Sequence, residues 1–161
     1  MASETEFMDI LNKHQGLLRK ICRLYADNEA DRQDMYQEMA LQLWRSYPNF
    51  RGQAKISTWM YQIALYTAIS TLKKKRPPAA PVSLALQIAA DNPDEQKARE
   101  ERLFQAIQGL SKVERALVLL YFEEKPIEEI AEICGMTPNH VRVKMHRIRE
   151  KLRDILNKQQ R

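Results

Sequence analysis

Cysteine is nearly absent from this chain: 2 in 161 residues, with Cys22 and Cys134 far apart. No CxxC or metal-ligand spacing arises, which excludes a disulfide scaffold and a cysteine-held metal; two buried, reduced thiols in a cytosolic setting are expected. Glycine is almost as scarce, with 4 residues against 7 Met and many Leu, Ala, Glu and Lys. That balance suits helices and disfavours sheets, which need frequent turns. No apolar run approaches the ~18 residues that would cross a bilayer. Met1–Phe7 is acidic, where a secretory signal would be basic. Neither membrane insertion nor export is expected. What remains is a chain with 44% hydrophobic and 29% charged residues, enough apolar material for a core and too little one-sided charge for disorder.

Charge is distributed in blocks. Residues 45–76 hold seven cations (Arg45, Arg51, Lys55, Lys73, Lys74, Lys75, Arg76) and no acid. Residues 137–161 hold eight Lys/Arg against two Asp/Glu. Each basic block follows an acidic one: residues 1–44 carry a net −3, and residues 77–102 and 103–136 carry −2 and −3. Two basic blocks suggest two contacts with a polyanion, and the acidic ones suggest contacts with something else.

Proline divides the chain. Pro77-Pro78-Ala79-Ala80-Pro81 cannot continue a helix, since each ring removes an N–H and pushes the preceding residue toward extended backbone. The fold expected is all-α: two small helical domains, residues 1–76 and 97–161, joined by a flexible linker over 77–96. In the first, Phe7, Ile10, Leu11, His14, Leu17, Leu18, Ile21 and Tyr25 recur at three- and four-residue steps, predicting one amphipathic helix over 5–25. A second helix is predicted over 31–47, with Met35, Met39, Ala40, Leu43, Trp44 and Tyr47 on one face. A third runs from an N-cap at Ser57 to Leu72 and the lysines.

In the second domain a helix from near Asp94 ends at Gly109, which suits a left-handed terminal position. Ser111-Lys112-Val113-Glu114 is a capping box, after which Val113, Leu117, Leu120 and Tyr121 are expected to face inward. Ile127, Ile130, Ala131, Gly135 and Val141 then have the spacing of a helix-turn-helix. Thr137 and Pro138 suit the N-cap and first position of its second helix. That helix offers Asn139, His140, Arg142 and Val143 near its start, followed by Lys144, Arg147, Arg149, Lys151 and Arg153. Asn and Arg can pair bidentately with base edges, and the later cations suit phosphates.

Two motifs stand out in the first domain. Asp34 and Glu38 lie four apart on one helix face with Gln37 beside them. The pair fits a solvated face or an acidic docking face for a basic partner; acid–base or metal chemistry lacks a His or Cys partner at usable spacing. Phe50-Arg51-Gly52-Gln53-Ala54-Lys55 and the following Trp59-Met60-Tyr61 interleave aromatics with cations. That mixture suits single-stranded bases stacked on rings while cations hold the phosphates, unless Phe50 and Trp59 belong to the core.

Taken together, Asp34-Met35-Tyr36-Gln37-Glu38, Leu43-Trp44, Phe50-Arg51, Trp59 through Ala64, Glu129-Ile130-Ala131 and Val141 through Arg149 resemble the extracytoplasmic-function (group 4) sigma factors. These are two-domain promoter-specificity subunits of bacterial RNA polymerase. The likeness covers residues 10–76 (region 2) and 100–156 (region 4). It implies that Asp34, Gln37 and Glu38 grip the β′ clamp helices of core polymerase. It implies that Phe50, Arg51, Gln53 and Lys55 capture a flipped base of the −10 element, with Trp59 and Tyr61 near the melted strand and Lys73, Lys74, Lys75 and Arg76 toward promoter DNA. Thr137, Asn139, His140, Arg142, Val143, Lys144 and Arg147 would read the −35 element, and apolar and acidic residues of region 4 would meet the β flap. An anti-sigma factor is the implied regulator and the cytoplasm the implied setting; no cofactor, metal or catalytic residue is expected. Leu65, Tyr66 and Ser70 stand where the family usually has Arg, Asn and Asp, and Tyr66 offers a ring for stacking in place of an amide. The competing readings are a stand-alone helix-turn-helix regulator with a helical sensing or dimerisation domain, and an enzyme with a helical carboxylate site.

Overall fold

Every regular element among the residues described by the computed structural model, 4–74 and 95–159, is helical. The chain divides into two units, Met1–Arg76 and Pro77–Arg161, each with its own core. The first holds α1 (Glu4–Lys13), α2 (Gln15–Tyr25), α3 (Glu29–Ser46), a 3₁₀ turn (Tyr47–Asn49) and α4 (Ile56–Lys74). Helices α2, α3 and α4 pack on one another, and Leu18, Ile21, Met39, Leu43 and Met60 are wholly buried between them. Ala64 and Ala68 of α4 are equally buried; their small side chains allow close helix approach.

The single helix expected over 5–25 is two. His14 has φ −110° and ψ 17°, outside helical geometry, and its ring Nδ1 lies 3.1 Å from the Ile10 carbonyl. Gly16 follows closely, a residue that weakens helix interiors. Before the break, the buried Phe7 of α1 packs against Trp44 (ring centroids 5.1 Å) and Tyr47 (5.5 Å). Helix α3 begins earlier than expected because Asn28 caps it, accepting from the Asp31 N–H at 2.8 Å. Helix α4 also begins early: the Trp59 N–H bonds to the Lys55 carbonyl at 3.1 Å, so Ser57 lies inside the first turn and is not the cap.

The second unit holds α5 (Glu95–Gln108), α6 (Lys112–Phe122), α7 (Ile127–Cys134) and α8 (Pro138–Gln159). Residues 95 and 96 therefore belong to α5 and not to a linker; the rest of the expected linker, 77–94, lies outside the described residues. Helix α8 packs against each of the other three. Leu117, Leu120 and Ile130 are buried together with Val141 and Ile148 of α8 itself. Val113 and Tyr121, expected inside, are partly exposed, while Leu117 and Leu120 are buried as expected, together with Ala116.

Gly109 departs from expectation. Its φ is not positive; a Cβ there would lie 3.3 Å from the Ala106 carbonyl oxygen, a tight approach to the last turn of α5, and at ordinary contact distance, 3.5 Å, from Ile155 Cδ1 of α8. Gly135 does take the left-handed conformation, φ 67° and ψ 37°, and turns the chain between α7 and α8.

The capping box forms: the Ser111 N–H donates to Glu114 Oε1 at 3.0 Å and the Glu114 N–H to Ser111 Oγ at 3.2 Å. Lys151 of α8 donates to both Glu114 oxygens at 3.1 and 3.0 Å, so one buried carboxylate caps α6 and ties it to α8. Burial alone would raise the Glu114 pKa; the Ser111 backbone N–H, the Lys151 ammonium and the Ser111 hydroxyl outweigh it and hold the carboxyl below its ordinary value of 4.5. Its stabilising effect is therefore complete above that ordinary value and is lost as pH falls through the lower folded-state pKa. Glu114→Gln, which keeps an acceptor and removes the charge, should cost ~1 kcal/mol at neutral pH, allowing for the solvent around Lys151. Thermal unfolding of both proteins across a pH series checks this; the difference in midpoint should vanish in acid.

Candidate nucleic-acid and partner interfaces

Helix α3 buries Met35, Met39 and Leu43 and so turns its opposite side outward. Asp34 and Gln37 are exposed on that side, and Glu38 is half-buried, accepting from Gln42 Nε2 at 3.0 Å. Leu41, seven residues after Asp34, continues the same stripe and is also exposed. The sequence reading missed it, although its position at i+7 was the available signal. An apolar side chain beside two carboxylates and an amide suits a protein partner that buries carbon as well as pairing charge. Among the described residues, no group of three or more His, Cys, Asp or Glu could hold a metal.

Beside this stripe, Arg19, Cys22, Arg32, Tyr36 and Gln37 line an open groove between α2 and α3. Cys22 is buried, and burial pushes its thiol up to about 11 despite the opposing charge of Arg32. Cys134 is only half-buried, contrary to expectation, yet burial likewise raises it to about 11. Neither thiolate forms near neutral pH, so both side chains act as small apolar groups.

The segment 50–55 links the 3₁₀ turn to α4. Rings run continuously toward it: Phe7 packs on Tyr47, Tyr47 on Trp59 (6.1 Å) and Trp59 on Phe50 (5.0 Å). Phe50 and Trp59 are half-buried; each gives one side to this ladder and keeps some surface. Gly52 has φ 78°, and the Arg51 N–H donates to Gln53 Oε1 at 2.8 Å, so the Gln53 amide oxygen shapes the loop. Arg51, Gln53 and Lys55 are exposed around that turn.

Tyr61 is a correction. It was expected near a melted strand, but only 3% of it is exposed. Tyr61, Ala64, Leu65 and Ala68 fall at i, i+3, i+4 and i+7, the buried stripe of α4. The same period explains Leu65, which occupies a core position. Tyr66, one residue on, is 74% exposed and is the aromatic that α4 presents to solvent. Lys73 and Lys74 lie in the last turn of α4; Lys75 and Arg76 are outside the described residues.

In the second unit α7, Gly135 and α8 form the helix-turn-helix. The His140 N–H donates to Thr137 Oγ1 at 3.1 Å, so the Thr137 oxygen caps α8 as expected. Val141, Met145 and Ile148 bury the inner stripe of α8. Asn139, His140, Arg142, Val143 and Arg147 are therefore exposed, with Lys144 half-buried at the edge. The cations of α8 are not equivalent. Arg149 donates to the Tyr121 hydroxyl at 3.0 Å and lies 5.2 Å from the ring centroid, and Lys151 is held by Glu114. Both serve the packing of α8 on α6. Arg142 Nη2 lies 3.9 Å from Glu128 Oε1 on α7, a contact the sequence gave no means to see.

Comparison with known proteins agrees with this arrangement. The family model "Sigma-70 region 2" matches residues 10–77 and "Sigma-70, region 4" matches residues 100–152. The RNA polymerase sigma-H factor of Pseudomonas aeruginosa is 31% identical over 88% of this chain and 80% of its own length. The ECF RNA polymerase sigma factor SigW of Bacillus subtilis is 28% identical over 93% and 88%. Among solved structures, CnrH in complex with the cytosolic domain of CnrY aligns with TM-score 0.70 and 18% identity, covering 97% of this chain and 90% of the other. The sigma factor RpoE in complex with the anti-sigma factor NepR from Bartonella quintana aligns with TM-score 0.70 and 17% identity, over 94% and 97%. With region 2 in its first unit and region 4 in its second, the chain belongs to the extracytoplasmic-function sigma factors.

Proposed function

We propose residue roles by which this chain, a sigma factor that directs promoter-specific initiation by RNA polymerase, carries out that work. The observation that carries the reading is the split of α8 into a buried stripe and an exposed polar one beginning at its N-terminal end. The exposed residues Asn139, His140, Arg142 and Val143 read base edges of the −35 element in the major groove, and Lys144 and Arg147 meet phosphates. Asp34, Gln37, Glu38 and the neighbouring Leu41 dock on the β′ clamp helices. Arg51, Gln53 and Lys55 surround a flipped −10 base, with the free surfaces of Phe50 and Trp59 against it. Tyr66 stacks further along the strand. Lys73, Lys74, Lys75 and Arg76 face promoter phosphates. In the second unit, exposed Val113, Tyr121 and Phe122 are the apolar candidates for the β flap.

The energetics explain why two units and a partner are needed. Unstacking duplex DNA costs a few kcal/mol per step, and one base on an aromatic ring returns ~1–3 kcal/mol. Region 2 alone therefore does not hold DNA open, and polymerase contacts supply the difference. The free chain should bind promoter duplex weakly. It acts by binding and not by chemistry of its own, in the cytoplasm where the polymerase works. An anti-sigma factor that covers both units is the expected regulator, as NepR is the partner in the Bartonella quintana RpoE complex. A stand-alone regulator would leave the acidic stripe of α3 and the aromatic loop without a task.

Three measurements test these roles. Asp34→Ala or Glu38→Ala should reduce co-elution with core polymerase on gel filtration while leaving the circular dichroism spectrum unchanged; undiminished co-elution removes the docking assignment. Arg142→Ala should cost ~1–3 kcal/mol on a matched promoter and flatten preference at one −35 position, whereas a uniform loss on all sequences marks a phosphate contact. Tyr66→Ala should shorten the lifetime of the open complex ~5- to 150-fold, corresponding to the loss of one stacked base, with Tyr66→Phe close to the parent. Competitor-challenge decay of the polymerase–promoter complex reads this out.

A further inference from the structure

We propose that Glu128 is a specificity-determining residue of the −35 reader, acting by positioning Arg142 and by repelling phosphates from it. The inference rests on the proposed −35 role of α8. Arg142 lies one turn from the Thr137 cap, and its guanidinium meets the Glu128 carboxylate at 3.9 Å. The pair joins the first turn of α7 to the exposed side of α8.

Stability does not account for this pair. Its side chains are 57% and 73% exposed, and a solvated ion pair between two elements already packed together adds little to folding. The packing of α7 on α8 comes from Ile130, Ala131, Val141 and Met145. Nor does Glu128 assist DNA attraction, since it is an acid at the rim of a basic surface. Glu129, the next acid of α7, is paired with Lys125 at 3.7 Å and its side chain is only 12% exposed, so the repulsion of an approaching phosphate is assigned to Glu128, whose side chain is 73% exposed.

An acid next to a reading arginine has two effects. It limits the guanidinium to fewer orientations, so less freedom is lost when the fork meets a base edge. It also offsets the arginine's charge for any phosphate nearby, which weakens contacts that carry no sequence information. A matched base supplies two directed hydrogen bonds to the fork in place of the single 3.9 Å contact with Glu128; a mismatched site offers only the screened charge. Discrimination rises because the wrong complex is penalised more than the right one.

The test uses the full-length chain in holoenzyme with core polymerase. Fluorescent promoter duplexes carry each base at each −35 position, or a scrambled −35 element, and affinity is measured over a range of salt. Glu128→Gln should bind the scrambled duplex ~2- to 5-fold tighter, the scale of one solvated charge pair. Its log-affinity against log-salt slope should steepen by about one. At the position where Arg142→Ala flattens base preference, Glu128→Gln should lose ~2- to 5-fold of that preference, and the double variant should match Arg142→Ala alone. Its thermal midpoint should stay at the parent value, which separates positioning from packing. Unchanged preference and salt slope in Glu128→Gln, with Arg142→Ala still flattening preference, overturns the inference and leaves the −35 reading intact. An Arg142→Ala protein with full preference overturns both the inference and the reading role of Arg142. A parent holoenzyme indifferent to the −35 sequence overturns the proposed −35 role of α8 and the inference with it.

Discussion

The second unit depends on one amphipathic helix doing two things with opposite faces. Val141, Met145 and Ile148 bury one stripe of α8 against the other three helices, and that burial dictates which residues look outward. Nothing on the exposed side is placed independently of the core: rotating α8 by one residue would turn ~100° of its circumference and carry Arg142 away from the exposed side. The links at the helix ends hold the rotation. Thr137 caps the start, Gly135 makes the left-handed turn before it, and Lys151 is bound to Glu114 further along.

The first unit uses the same geometry with different chemistry. Met60, Tyr61, Ala64, Leu65 and Ala68 form the buried stripe of α4, which leaves Tyr66 outside. Aromatic residues there divide by register and not by type. Phe7, Tyr47 and Trp59 join the ladder that supports the loop at 50–55, Phe50 ends it, and Tyr66 stands apart from it. The base capture proposed for that loop would need such backing, because a ring that moves freely loses in ordering much of what stacking returns.

Charge shows a similar division of labour. The basic block after residue 137 looks uniform as a string, yet Arg149 lies over Tyr121, Lys151 binds Glu114 and Arg142 meets Glu128. Cations that are held by the fold do not serve DNA in the same way as those that are not. Counting them along the chain therefore exaggerates the number available to phosphates, and the net charge of +5 measures attraction at a distance better than contacts at the surface.

Local chemistry made much of this protein legible in its sequence. The all-helical class, the capping box at Ser111 and Glu114, the Thr137 cap, the Gly135 turn and the helix-turn-helix spacing all depend on residues within a few positions of one another. Short-range hydrogen bonds and backbone preferences decide such features, and both are written in neighbouring letters. The sigma-factor motifs were legible for the same reason, as ordered strings. Tertiary structure decided the rest. Whether Tyr61 or Tyr66 faces solvent and which of the α8 cations are engaged depend on partners far along the chain, Glu114 standing 37 residues from Lys151. The break at His14 is partly of this kind: a periodic stripe over 5–25 fits one helix equally well, and the partners that Phe7 of α1 finds, Trp44 and Tyr47, lie far along the chain.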